Sequence, residues 1–288
     1  MTSAPWLSRR QLLRIGAVLP LGWAALLLLV PYALLLVQSF WRVEGGVLTP
    51  GFSLDNYRRL VGTSLYPRTI LYSAVTALWV TGFALLLAYP LAYLLAFKVR
   101  RHRDLLYFAV IIPLWVSYVV RAYAWKIILG QHGILNGLLL SLGLIHEPLS
   151  VLLYSRAAVV VALTHIYTPF ALMPIFAVLE AIPPSLREAS HDLYAGGWRT
   201  FWHVTLPLSL PGVLAGATFA FVLSMGDFLA PQLLGGSDSA LMVSNLVWSL
   251  FGVAYNWPLG AAIAVVMLGL TLGLLTLTGA VERGGRTR

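Results

Sequence analysis

The sequence predicts an all-α integral membrane protein with about six transmembrane helices, and three observations carry that expectation. Hydrophobic residues make up 59% of the 288 positions and charged residues only 10%, with a mean hydropathy of +0.84; a soluble domain carries roughly 25% charged residues. Apolar runs of about 20 residues or more, the length that crosses a hydrocarbon core, recur at residues 15–37, 70–97, 105–129, 157–179, 208–230 and 259–278. The lysines and arginines fall almost wholly between these runs, and they are divided unevenly between the two sides.

That division sets the orientation. Arg9, Arg10 and Arg14 precede the first run; Lys98, Arg100, Arg101 and Arg103 follow the second; Arg187 and Arg199 follow the fourth; Arg283, Arg286 and Arg288 close the chain. The alternate connections hold Arg42, Arg58, Arg59, Arg68 and Arg156. Cationic residues gather on the cytoplasmic side of membrane proteins, so both termini are expected there.

Each element follows in order. The stretch SRRQLLR, Ser8 to Arg14, imitates a twin-arginine export signal. The run behind it is about 22 residues long, carries Pro20 and Pro31, and ends without a small-residue cleavage site, so it reads as an uncleaved first helix. The connection from Trp41 to Thr69 has room for a short helix after Ser53, an N-cap candidate. Residues 132–150, with Gly133, Gly137 and Gly143 among leucines, read as a re-entrant or interfacial helix. No internal repeat or heptad divides the chain, and a single transmembrane domain over 1–288 is expected.

Several function classes are excluded at this level. Cysteine is absent, which removes disulfides, thiolate metal sites and cysteine nucleophiles. The net charge of +9 is distributed as flanks to apolar runs and forms no soluble basic face for nucleic acid. There is no G-x-x-x-x-G-K-[ST], H-E-x-x-H or G-x-S-x-G, and the six histidines are scattered, so neither a nucleotide cradle, a metal site nor a catalytic centre is indicated.

The longest polar interruption of the second half, within residues 183–207, has the chemistry of a helix, a turn and a second helix. Pro183 and Pro184 end the preceding run, and Ser185-Leu186-Arg187-Glu188 has capping-box spacing. Leu186, Ala189 and Leu193 recur at helical spacing, Gly196 and Gly197 supply a C-cap, and a short second helix is expected from about Arg199 toward Pro207. Trp198 and Trp202 suit a headgroup interface. Such a segment is either a structured loop resting on the membrane or a surface that faces a partner.

Two charges sit inside apolar runs. Arg121, in the third, costs at least roughly 2.5–3.5 kcal/mol unless paired or hydrated, whereas Lys126, nearer the outer end, can snorkel. Asp227 is the carboxylate that falls clearly within a run, the fifth. Arg121 is expected to face the bundle interior and to find an acid or carbonyl partner, with Asp227 the leading candidate because both lie in the outer halves of their runs.

Glu188 to Pro207 resembles the EAA motif of ABC importer permeases, E-A-A-x3-G-x9-I-x-L-P. Glu188, Ala189, Leu206 and Pro207 match; Ser190 replaces the second alanine, Val204 the isoleucine and Tyr194 the glycine, with Gly196 two residues on as a displaced turn and Asp192 one helical turn beyond Glu188. The resemblance implies a type I ABC importer transmembrane domain in which this cytoplasmic coupling helix docks in a groove of an ATP-binding subunit. Further stretches are similar to the spermidine/putrescine-type permeases of that family: Trp115-x-Ser117, Arg121-x-Tyr123-Ala124-Trp125, Gly133 to Asn136, TPFALMPIFAVLEAIPPSLREAS, Met225 to Phe228, Pro231 to Gly236 and Asn256 to Ala262.

What the resemblance implies is half of a translocation pathway for polyamines or a related small cationic compound in a bacterial inner membrane. The implied partners are a second homologous permease, two ATPase subunits that bind ATP and magnesium, and a periplasmic or extracellular binding protein; no cofactor or nucleic acid is implied for this chain itself. Along the implied path lie Asp227, Arg121, Tyr123, Trp125 and Phe228, a carboxylate among rings that can replace the hydration of an ammonium ion. The competing role for Asp227 is to neutralise Arg121 or to cap an irregular helix end near Gly226 and Pro231. An ATP-independent secondary transporter or channel is the rival class; inverted repeats or a run of intramembrane acids would favour it, and neither is visible. A purely structural scaffold is disfavoured by the charges in the third and fifth runs.

Overall fold

In the computed structural model, which describes residues 9–99, 101–150, 152–192, 196–236 and 241–286, the first apolar run forms helix α1 (Arg9–Gln38). No residue of its apolar window, Pro20–Gln38, is fully buried within the chain; a helix of this length that is apolar all round has the composition of a membrane span. Two compact units divide the molecule, Met1–Gly62 with Ser249–Leu268, and Thr63–Trp248 with Gly269–Arg288.

The first unit continues from α1 into a hairpin of β1 (Arg42–Glu44) and β2 (Val47–Thr49). Gly45 and Gly46 turn it with φ of 58° and 81°, a left-handed pair that glycine adopts without a Cβ clash. Helix α2 (Asp55–Gly62) starts where Ser53 suggested, with the Asp55 N–H donating to Ser53 Oγ at 3.1 Å. Buried Asn56 ties this helix to the end of α1, donating to the carbonyls of Ser39 and Trp41 at 2.8 Å each.

The second unit carries α3 (Leu65–Phe97), α4 (Arg103–Ile111), a 3₁₀ turn (Ile112–Trp115), α5 (Tyr118–Leu129), α6 (Ile134–Ser141) and α7 (Arg156–Glu180). After these come α8 (Pro184–Asp192), α9 (Gly197–Thr200), a π turn (Phe201–Thr205), α10 (Leu206–Gly226) and α11 (Leu229–Leu234). Helices α12 (Val243–Gly252) and α13 (Trp257–Arg286) pass between the units in sequence.

Helices α3, α7 and α10 pack together as the core, with α7 at the centre: 72% of its apolar window is buried, against 22% for Gly197–Gly226. Lipid tails are as apolar as leucine, so close backbone packing replaces the hydrophobic effect as the force between these helices. Small residues supply it. Ala77, Ala84, Ala88 and Ala92 form a fully buried stripe on α3. On α10, a Cβ at Gly216 would lie 2.7 Å from the Ala171 carbonyl oxygen and one at Gly212 2.8 Å from that of Pro174, so α10 touches the α7 backbone directly. Arg156 fastens the start of α7 to α3, stacked 3.9 Å over the Tyr72 ring and donating to Thr76 Oγ1 and the Tyr72 carbonyl at 3.1 Å each.

Among the described residues five helices are long and apolar enough to cross a membrane, and a sixth crossing requires a broken pair. The run 105–129 is therefore not the single rod that its hydropathy suggests: Arg103–Trp115 and Tyr118–Ser141 meet at 93°. Pro113 tightens the chain into the 3₁₀ turn, and Val116 and Ser117 are extended, each with ψ of 135°. The run 208–230 also breaks, ending α10 at Gly226 and restarting at Leu229. Within 132–150 the expected short helix is α6, and fully buried Asn136 pins it by donating to the carbonyls of Gly130 and Leu149 and accepting the Leu149 N–H at 2.9 Å.

Candidate functional site

In the segment 183–207 a first helix, α8, and a second helical stretch from Gly197 flank residues 193–195, which lie outside the described residues; Gly196 and Gly197 are the N-cap and first residue of that second stretch and not a C-cap of α8. Helix α8 begins at Pro184, so Ser185 lies inside the first turn and is not its cap; proline has the fixed φ and missing N–H that suit a first helical position. The second helix does not stop at Pro207. It widens into the π turn, where the Leu206 N–H reaches back to the Phe201 carbonyl, and runs on as α10. Pro207 offers no N–H to the preceding turn, and the i→i+5 bond accommodates that gap.

Glu188, Ala189, Asp192 and Gly196 are exposed, whereas Ser190 is buried. The Ser190 hydroxyl meets that of buried Thr200 at 2.9 Å, joining α8 to α9. Tyr194 lies outside the described residues. Val204 and Leu206 are half-buried and Pro207 exposed. Glu188 borders a groove of about 500 Å³ with Arg187, Arg103, Glu180 and Phe97. Arg103 pairs with Glu180 across it, tying the start of α4 to the end of α7, and Arg187 stacks 4.1 Å over the Phe97 ring, holding α8 to the C-terminal end of α3.

The second constellation centres on Asp227, 5% exposed at the break between α10 and α11. Its Oδ1 accepts the N–H groups of Leu229 and Ala230 at 3.0 and 3.1 Å, capping α11. Its Oδ2 accepts the hydroxyls of Tyr118 and of Tyr167, the latter at 2.6 Å. Around the break, Ser244 Oγ donates to the Asp227 carbonyl and Asn245 Nδ2 to that of Phe228 at 2.7 Å.

The expected Arg121–Asp227 pair does not form. A carboxylate has about four acceptor positions, and two phenols and two backbone amides occupy them. Arg121 instead lies with its Cζ 5.8 Å from the Tyr118 ring centroid; its Nε and Nη1 are buried without a hydrogen-bond partner among the described residues. Trp125 donates Nε1 to His165 Nδ1 at 3.2 Å, while Tyr123 is about half exposed. Phe228, 42% exposed, does line the cleft beside Asp227. Sequence reasoning missed Tyr118, Tyr167, Ser244 and Asn245. Its available signal was the unmet demand of a buried carboxylate for donors, which names hydroxyl-bearing residues as a class but not the two that fold against it.

Comparison with known proteins places these features. Residues 88–286 match the family described as the binding-protein-dependent transport system inner membrane component. The chain is 35% identical over 257 residues to the spermidine/putrescine transport system permease protein PotB of Escherichia coli (strain K12), covering 89% of this chain and 92% of that one. It is 32% identical over 260 residues to PotB of Haemophilus influenzae, covering 90% and 89%. Its fold matches a chain in the crystal structure of a bacterial ABC transporter involved in the import of the acidic polysaccharide alginate, with a TM-score of 0.71 at 19% identity over 96% of each chain. The fold is thus the type I ABC importer transmembrane fold, and the relatives are transport permeases, not enzymes. This chain belongs to the family of inner membrane components of binding-protein-dependent transport systems.

Proposed function

We propose that this chain is one of two homologous permease subunits of an ATP-driven importer for polyamines, spermidine or putrescine, or for a closely related small cation. The observation that carries the substrate class is the end-to-end likeness to spermidine/putrescine permeases. The whole of 1–288 acts as one transmembrane permease domain, with both termini in the cytoplasm as the arginine distribution favours.

Residues 183–207 are the coupling segment. Exposed Glu188 and Ala189 dock on an ATPase subunit, one of two that bind ATP and magnesium, and Ser190 holds α8 to α9 through Thr200. A binding protein delivers cargo from the outer side. Nucleotide and loaded binding protein bias one two-state equilibrium between inward- and outward-facing forms, and each shifts it only by its differential affinity.

Reconstitution tests the proposal. Liposomes holding this permease, its partner permease and the ATPase subunits should accumulate radiolabelled putrescine or spermidine only with internal ATP and the binding protein. Uptake that persists without the ATPase subunits sinks the importer reading, and ATP-dependent uptake of other solutes alone sinks the polyamine reading.

A further inference from the structure

We propose that Tyr118, Tyr167 and Asp227 form a site for a primary ammonium group, in which the two phenol oxygens touch the nitrogen and the buried carboxylate behind them supplies the charge. The inference deepens the importer reading and rests on it for the role of the cleft in transport.

The argument begins with hydrogen-bond direction. All four groups around the Asp227 carboxylate are donors, two backbone N–H groups and two phenols. A protonated acid would spend one position as a donor, so this shell fits the ionised form. The anion is 5% exposed, and among the described residues no lysine, arginine or histidine forms an ion pair with it. A charge so placed in a membrane-spanning region is costly unless a counter-charge arrives.

The carboxylate cannot take that counter-charge by direct contact, because its acceptor positions are filled. The phenols can. Each spends its proton on Oδ2 and keeps oxygen lone pairs, and a hydroxyl that donates to an anion is polarised into a better acceptor. Both hydroxyl-bearing residues line a shallow cleft of about 320 Å³ with Asp227 and Phe228, and Val222 and Leu223 give it an apolar wall.

Charge and shape then select the ligand. A primary ammonium offers three N–H donors and no acceptor; two go to the phenol oxygens, the methylene chain lies along Val222 and Leu223, and the Phe228 ring adds a cation–π contact. A carboxylate or phosphate finds no donor, since both phenol protons are committed. A quaternary ammonium keeps the charge but has no N–H, so it loses the phenol contacts.

Equilibrium binding to the purified, assembled importer without its binding protein tests the site, with putrescine and its fully N-methylated analogue as probes. The wild type should bind putrescine about tenfold more tightly than the analogue. In Tyr118→Phe/Tyr167→Phe, which keeps both rings, that ratio should fall to about one, with each single variant intermediate. Equal binding of the two probes by the wild type overturns the inference. So does an unchanged ratio in the variants, or failure of both single variants to assemble, which would make the hydroxyls structural. The polyamine reading fails separately, if the wild-type importer with ATP and binding protein takes up neither putrescine nor spermidine, whatever the binding ratio.

Discussion

Tyr118 and Asp227 stand 109 positions apart, and the hydrogen bond between them joins the break ahead of α5 to the break between α10 and α11. Tyr118 opens α5 just past the 93° bend, and Asp227 follows the last residue of α10. Breaks inside a bilayer leave backbone groups that lipid cannot satisfy. The Asp227 carboxylate serves two of them, and Ser244 and Asn245 serve the carbonyls beside it.

Removing that carboxylate should therefore unfasten both breaks. Asp227→Ala strands several buried donors at about 1–3 kcal/mol each and should lower the thermal midpoint and yield of the detergent-purified permease markedly. Asp227→Asn, which keeps one carbonyl oxygen, should fall in between. A midpoint for Asp227→Ala equal to wild type would remove the structural role assigned to the node.

The buried Ser190–Thr200 pair predicts a local effect. Ser190→Val leaves the Thr200 hydroxyl with only its 3.4 Å bond to the Gly196 carbonyl and should weaken the α8–α9 junction by about 0.5–1.5 kcal/mol, read as faster proteolysis in the segment. Thr200→Val in the same background should recover part of the loss, because two apolar groups leave nothing unpaired. Additive losses in the double-mutant cycle would show that the hydroxyls act independently.

Exposed Glu188 predicts a functional effect without a folding one. Glu188→Arg should weaken ATPase copurification, with loss of a charge-assisted hydrogen bond worth on the order of 1.5–3 kcal/mol, and should uncouple hydrolysis from uptake at normal permease yield. Asp192→Asn should matter less. Unchanged copurification and uptake in Glu188→Arg would reduce the segment to a surface loop.

Two glycines separate packing from propensity. Glycine to alanine normally gains up to about 1 kcal/mol in a helix, and Gly82, with open space at its Cβ, should follow that rule. Gly216→Ala should instead cost about 1–3 kcal/mol by overpacking, since its Cβ meets the Ala171 carbonyl oxygen at 2.7 Å. Equal thermal midpoints for the two variants would contradict the direct α7–α10 contact.

The sequence by itself determined the membrane class, the approximate spans and the polar segment 183–207, because these follow from local composition: a bilayer demands long apolar runs, and a polar interruption among them stands out. The Glu188–Pro207 spacing and the short helix after Ser53 were legible for the same reason. Tertiary structure alone decided the rest. Hydropathy averages over a window, so it could not see that 105–129 bends at Val116–Ser117. Charge complementarity suggested Arg121 for Asp227, yet the carboxylate went to Tyr118 and Tyr167, whose hydroxyls the chain brings from two other helices. A hydrogen bond depends on which side chains arrive within about 3 Å, and at separations of 60 and 109 residues no local pattern encodes that arrival.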